Sequence, residues 1–426
     1  MKNFRNISPV DYKNILKRPA MDTTALFSTV RNILNDIKIN GDLAVKKYAA
    51  QFDKSNLEDI QVTDKEFETA ENQLDSALKL AILTAKTNIE RFHSRQVSEP
   101  EVIETMTGIE CWRKSVGIEK VGLYIPGGTA PLFSTVLMLG IPAQIAGCKE
   151  VVLCTPCKAD GAVHPAILFA AKSVGISKVF KIGGVQAIGA MAYGTETVPQ
   201  VFKIFGPGNQ YVTAAKQIIN TEGVAIDMPA GPSEVMVIAD ATANPDFVAA
   251  DLLSQAEHGV DSQVVLLAYS ETIVENVLKS IENQLLTLPR ADISRKALDN
   301  SVAIIVKNDN EAMLISNEYA PEHLIISTQN ADDLAAMVVN AGSVFIGHYS
   351  PESVGDYASG TNHTLPTNGY AKAYSGVSVD SFVKKITYQK LSTEGLKNIG
   401  SAVIAMAEAE QLDAHARAVS IRLASL

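Results

Sequence analysis

The first hundred residues space their apolar side chains three and four apart. Leu26, Val30, Leu34 and Ile37 form one stripe that stops near Gly41, and Leu78, Ile82, Ala85, Ile89 and Phe92 form a second that ends before Pro100. That period belongs to amphipathic helices packed on a core. Thr63 followed by Glu66 has the spacing of a capping box, which places a helix start there. From about Lys120 the texture changes to short runs rich in Val and Ile, separated by helix-length segments and glycine-rich turns. Strands are expected at 121–125, 151–154, 179–182, 201–205, 235–239, 264–267, 302–306, 324–326 and 343–346. Such alternation builds parallel sheets with helical crossovers, an α/β fold. After Thr393 the spacing of Val403, Ala407, Leu412, Val419 and Leu423 is helical again.

Composition narrows the classes. A chain of 426 residues is several domains long at roughly 150 residues each. Its 37 basic and 47 acidic residues leave a net charge of -10 without a basic cluster, which argues against nucleic acid as a partner. No apolar run approaches the roughly 20 residues that cross a bilayer, so no membrane partner is expected. The opening residues lack a signal peptide's apolar core, and the expectation is a soluble, cytoplasmic protein. Cys111, Cys148, Cys154 and Cys157 are then expected to be free thiols. Cys154 and Cys157 have the spacing of a redox or metal pair. No second pair exists to complete a four-thiolate site, and the favoured reading is structural.

Candidate chemistry sits at the strand ends. Gly127-Gly128 follows the first expected strand, Gly183-Gly184 with Gln186 the third, and Gly206-Pro207-Gly208-Asn209 the fourth. One such turn is explained by a tight strand–helix connection. Three on one sheet edge point to a ring of loops around a cofactor, although none is the G-x-G-x-x-G fingerprint. Ser233 lies in a loop packed with turn formers, as a polar contact or a turn residue. Gln255 and His258 stand three apart on an expected helix, with Gly259 as its left-handed stop. Together they could hold a zinc ion; a capped helix with an exposed histidine fits the spacing equally well. Glu322-His323 presents a carboxylate and an imidazole at a strand start, where two proton transfers could be served. Asp356 and His363 share a later polar loop, and His415 lies near the C-terminus.

The segments Tyr124-Ile125-Pro126-Gly127-Gly128, Phe205-Gly206-Pro207-Gly208-Asn209 and Met228-Pro229-Ala230-Gly231-Pro232-Ser233-Glu234 resemble those of the histidinol dehydrogenase family. So do residues 252–259, Pro321-Glu322-His323 and residues 355–363. The resemblance runs over nearly the whole chain. It implies two successive NAD-dependent oxidations of L-histidinol, through a bound aldehyde, to L-histidine. It also implies two Rossmann-like parallel-sheet domains with helical terminal segments, in a domain-interchanged homodimer. The expected division is 1–22, then 23–123 with 233–377 as the larger domain, 124–232 as the inserted NAD domain, and 378–426 reaching the partner chain. Carried over by position, the zinc ligands are Gln255, His258, Asp356 and His415, the last supplied by the partner. Ser233, His323, His363 and Glu410 join those ligands as substrate contacts, and Tyr124, Gln186 and Asn209 contact NAD. His323 is the expected general base and Glu322 the residue that activates water. A zinc hydrolase using Glu257 or Glu322 as its base would leave the three glycine-rich turns unexplained, and a non-catalytic binding protein would need no acid–base pair.

Overall fold

A computed structural model describes residues 1–5, 11–19, 24–127, 130–229 and 231–426. Gly128 of the first glycine pair lies outside the described residues. The chain opens with β1 (Lys2–Arg5), a short helix Tyr12–Ile15 and three helices, Thr24–Tyr48, Asp64–Gln73 and Ser76–Ser94. A hairpin of β2 (Val102–Met106) and β3 (Ile109–Gly117) follows. One run of strand–helix units then supplies β4 (Lys120–Tyr124), β5 (Glu150–Cys154), β6 (Lys178–Phe180), β7 (Lys203–Phe205) and β8 (Ala225–Ile226). A second supplies β9 (Glu234–Ala239), β10 (Gln263–Ala268), β11 (Val302–Ile305), β12 (His323–Ser327) and β13 (Ser343–Ile346). The chain finishes with β14 (Val383–Leu391) and helices Thr393–Ala409 and Asp413–Ala424.

The strands of the first run form a parallel sheet ordered β6-β5-β4-β7-β8. Those of the second form another, β1-β11-β10-β9-β12-β13, in which the N-terminal strand pairs with β11. Both are buried on both faces, so their strands read as unbroken apolar runs. Successive residues nevertheless divide between two cores: Val235, Val237, Val264 and Leu266 face one way, and Met236, Ile238, Val265 and Leu267 the other. Each fully buried side chain of this size contributes about 1.5–3 kcal/mol.

The helical stripes found in the sequence cover the five-stranded sheet. Leu26, Val30, Leu34 and Ile37 pack with Ile182, Ile188 and Ile204 on one face. Ile82, Ala85 and Ile89 pack with Leu137, Leu153 and Phe205 on the other. Residues 24–94 thus bury their apolar faces against the sheet of residues 120–226, where the expected division joined them to the six-stranded sheet. Periodicity shows which face of a helix is apolar and not which sheet receives it. Phe92 of the second stripe is 48% exposed. The capping box forms as expected, with Thr63 and Glu66 exchanging side-chain-to-backbone bonds. At Gly41, φ is +50°, and a Cβ there would run into the Glu196 carboxylate. The first stripe ends at this break.

All nine expected strands are present. An antiparallel sheet β14-β3-β2 was not expected. It places a strand inside the 378–426 segment, read as helical, and its half-exposed strands carry too little apolar alternation to announce themselves. Among the described residues no helix is long and apolar enough to cross a membrane.

Candidate active site

The acid–base pair lies where β12 begins. Helix Asp309–Tyr319 stops at Ala320, left-handed at φ +53°, and Pro321 prevents its continuation. The chain then enters β12 beside β9, with His323 in register with Val235. The main chain of Glu234 holds both members of the pair. Its N–H donates to Glu322 Oε2 at 2.8 Å, and its carbonyl accepts from His323 Nδ1 at 3.1 Å. Because a carbonyl only accepts, Nδ1 carries a proton and Nε2 is the nitrogen left for chemistry. Glu322 Oε2 stands 3.6 Å from Nδ1, so the two consecutive residues serve one site.

Nε2 of His323 faces Asp356 Oδ1 at 3.2 Å, across from helix Glu352–Tyr357. Burial works to lower the His323 pKa, but the Glu322 charge and the Asp356 hydrogen bond outweigh it and hold it well above the ordinary histidine value. Burial likewise pushes Asp356 up, while His323 above all, then His363 and His258, hold it below the usual carboxylate range. The two shifts describe one ion pair.

His363 Nδ1 donates to the Asp356 carbonyl at 2.7 Å, and its Nε2 meets Thr135 Oγ1 at 2.9 Å. Asn362 donates to the Met138 carbonyl at 2.6 Å. Thr135 and Met138 belong to helix Phe133–Ile145, which follows β4, so this loop ties the two parallel sheets together at the site. Thr135 was missed in the sequence, since one hydroxyl at a helix start carries no periodic signal.

Gln255 is buried in the last turn of helix Pro245–Ala256. His258 stands just beyond it, exposed, with its N–H bonded to the Gln255 carbonyl at 3.2 Å. Gly259 is not the left-handed stop expected of it: the helix ends at Ala256, with Glu257 still right-handed. Desolvation by the surrounding protein lowers the His258 pKa, which favours the neutral form that binds metal. Behind Gln255 lie two further acids without a role in the sequence reading. Glu352 is buried, which raises its pKa, and its Oε2 makes no hydrogen bond. Burial, then the charge of Glu352, raises Asp251 to about 7.

Other expected site residues distribute unevenly. Ser233 adjoins Glu234, and its carbonyl accepts from the Gln263 N–H at 3.2 Å. His415 and Glu410 are exposed at the C-terminal helices. Among the described residues, no group of three or more His, Cys, Asp and Glu side chains is placed to hold a metal. The donor chemistry still fits zinc, with a neutral imidazole, an ionised carboxylate and a carboxamide around one helix end.

Tyr124, Gln186 and Asn209 sit at the carboxyl ends of β4, β6 and β7, on one edge of the five-stranded sheet. Each is engaged locally. Tyr124 Oη accepts from the Gly184 N–H at 3.1 Å, and burial raises its pKa to about 12. Gln186 donates to Asp53 at 3.0 Å, and Asn209 caps helix Gln210–Thr221. The acid–base pair, by contrast, lies at the amino ends of β9 and β12. β8 ends at Ile226 and β9 starts at Glu234, so the two edges lie close along the chain. All four cysteines are free, and Cys157 donates to Ser55 Oγ at 3.3 Å.

The histidinol dehydrogenase family model matches residues 16–423. The histidinol dehydrogenase of Bacteroides thetaiotaomicron is 60% identical over the full length of both chains. The chloroplastic histidinol dehydrogenase of Arabidopsis thaliana is 52% identical, covering 99% of this chain and 91% of its own. The crystal structure of histidinol dehydrogenase from Elizabethkingia anophelis superposes with a TM-score of 0.98 at 54% identity, covering 100% of this chain and 98% of that one. On these matches the chain belongs to the histidinol dehydrogenase family, the enzymes of the last step of histidine biosynthesis.

Proposed function

We propose that this chain oxidises L-histidinol twice, through an aldehyde that stays bound, to L-histidine, with NAD as hydride acceptor and one zinc ion per subunit. The observation that carries this reading is the hold of one residue's main chain on both Glu322 and His323. It leaves Nε2 of a buried imidazole as the base, with a carboxylate at its side. When bound, NAD would supply the hydride acceptor and zinc would help orient the substrate. Gln255, His258 and Asp356 would hold the zinc. His323 would accept the alcohol proton at Nε2. Glu322 takes a proton from the water that adds to the aldehyde, His323 returns its proton to the carbonyl oxygen, and His323 then accepts a proton of the hydrate in the second oxidation. Ser233, His363 and Glu410 would orient the substrate, lowering the entropic cost of reaction. Tyr124, Gln186 and Asn209 would contact NAD at their shared sheet edge.

The fourth ligand, His415, would come from a second copy of the chain. Supporting this, Leu412, Met406 and Ile421 on the terminal helices are 43%, 66% and 58% exposed, a large apolar area for a free surface. The free thiols suit a reducing, cytoplasmic compartment.

Purified protein supplied with zinc, NAD and histidinol should generate NADH absorbance and release histidine; no NADH would overturn the reading. Mixing His415→Asn chains with Gln255→Ala chains should restore activity in heterodimers that each keep one intact site. No rescue under conditions proven to exchange subunits would remove the shared site.

A further inference from the structure

Glu234 is held from outside the sheet by a residue of the N-terminal segment. Arg18 Nε donates to Glu234 Oε1 and Nη2 to Oε2, both at 2.7 Å, a two-pronged bond. Arg18 Nη2 also donates to the Tyr319 carbonyl at 2.8 Å, and the guanidinium lies 3.9 Å above the Tyr319 ring. The preceding residue is tied down as well. Gln263 Nε2 donates to the Lys17 carbonyl at 3.2 Å, and Gln263 Oε1 accepts from Tyr319 Oη at 2.9 Å. From the other side, the Asn368 N–H donates to Glu234 Oε1, with Asn368 itself left-handed at φ +55°.

We propose that Arg18 is a positioning residue for Glu322 and His323, acting through Glu234. This rests on the reading that Glu322 and His323 carry the proton chemistry. The clamp fixes a side chain whose own N–H and carbonyl fix Glu322 Oε2 and His323 Nδ1. A rotation at Glu234 would move both catalytic groups together. Charge points the same way. Register sets Glu234 opposite Glu322 at the mouths of adjacent strands, one step before the pair Val235 and His323. Burial raises the Glu234 carboxyl, Arg18 works against that, and Glu322 adds to it. Without the guanidinium, two buried carboxylates would face each other across the base. Replacing both members of a buried ion pair by well-packed apolar groups is often neutral or stabilising, whereas removing one alone leaves the other's charge unpaired and destabilises. What the pair adds is a defined orientation at the strand ends.

The test compares Arg18→Met, Arg18→Lys and Glu234→Gln with the wild type and with His323→Asn, all zinc-loaded and below their thermal midpoints. Turnover of histidinol and the KM for NAD are read together. A misplacement of about 1 Å costs up to about 100-fold in rate, so Arg18→Met should lower kcat by as much as that. The KM for NAD should stay unchanged, because Tyr124, Gln186 and Asn209 lie on the other sheet. Arg18→Lys keeps the charge but not the fork, so it should recover part of the lost kcat. Folded Arg18→Met with wild-type kcat, or a loss that falls on the KM for NAD, would overturn the proposal. Should Arg18→Met fail to fold, wild-type kcat in Arg18→Lys would overturn it equally. Wild-type kcat in His323→Asn would instead remove the reading beneath it.

Discussion

Nε2 of His323 lies 3.2 Å from Oδ1 of Asp356, which joins the first residue of β12 to the helix Glu352–Tyr357. The contact makes the histidine's basicity depend on what else claims the carboxylate. In metal-stripped protein, Asp356→Asn should therefore lower the His323 titration midpoint, because it removes one of the charges that raise it. Proton NMR of the histidine ring protons across pH would show this; an unmoved or raised midpoint would contradict the pairing.

His323→Asn keeps a donor for the Glu234 carbonyl and loses the nitrogen proposed as the base. General acid–base catalysis contributes about 10²–10⁴-fold, so kcat should fall by that order. The KM for NAD should hold, as measured from initial rates of NADH formation.

Asp251 gives a stability prediction with a definite sign. Its folded pKa is raised to about 7 by burial, then by Glu352, so the folded state holds a proton that the unfolded state gives up at lower pH. The stabilising contribution is complete below the ordinary carboxylate range and is lost as pH rises through about 7. Asp251→Asn should hence become more stable relative to wild type as pH climbs from about 4 to about 7, with little further change above. Urea midpoints of both proteins across that range would show the trend, and a flat difference would refute it.

Phe382 is fully buried and stacks on Phe205 of β7, with ring centroids 3.9 Å apart. Phe382→Ala should cost about 3–5 kcal/mol, the range for emptying a buried aromatic site. Chemical denaturation would measure it. A loss well under that range would mean that the 378–426 segment is not anchored through this ring.

How far the sequence revealed the molecule depended on the range of the signal. Strands of the two parallel sheets announce themselves as apolar runs, and the nine expected from such runs are present. Ile386 and Tyr388 lie on an exposed strand whose partner β3 is remote in the chain, and no local pattern pairs them. Within the site, Glu322 and His323 were legible as neighbours at a strand start. The Glu234 main-chain hold on them, and Arg18 behind it, come from a register across 88 and 216 residues of chain. The left-handed role given to Gly259 failed because the helix closes with right-handed Glu257. A glycine permits a left-handed stop without requiring one.

On the proposed reading one site carries out both oxidations without releasing the aldehyde. Limiting histidinol with excess NAD should yield two NADH per histidinol in the wild type, and Glu322→Gln should stop at one, with aldehyde trapped by a hydrazine reagent. A wild-type yield of one, or a Glu322→Gln yield still at two with unchanged rate, would contradict the account.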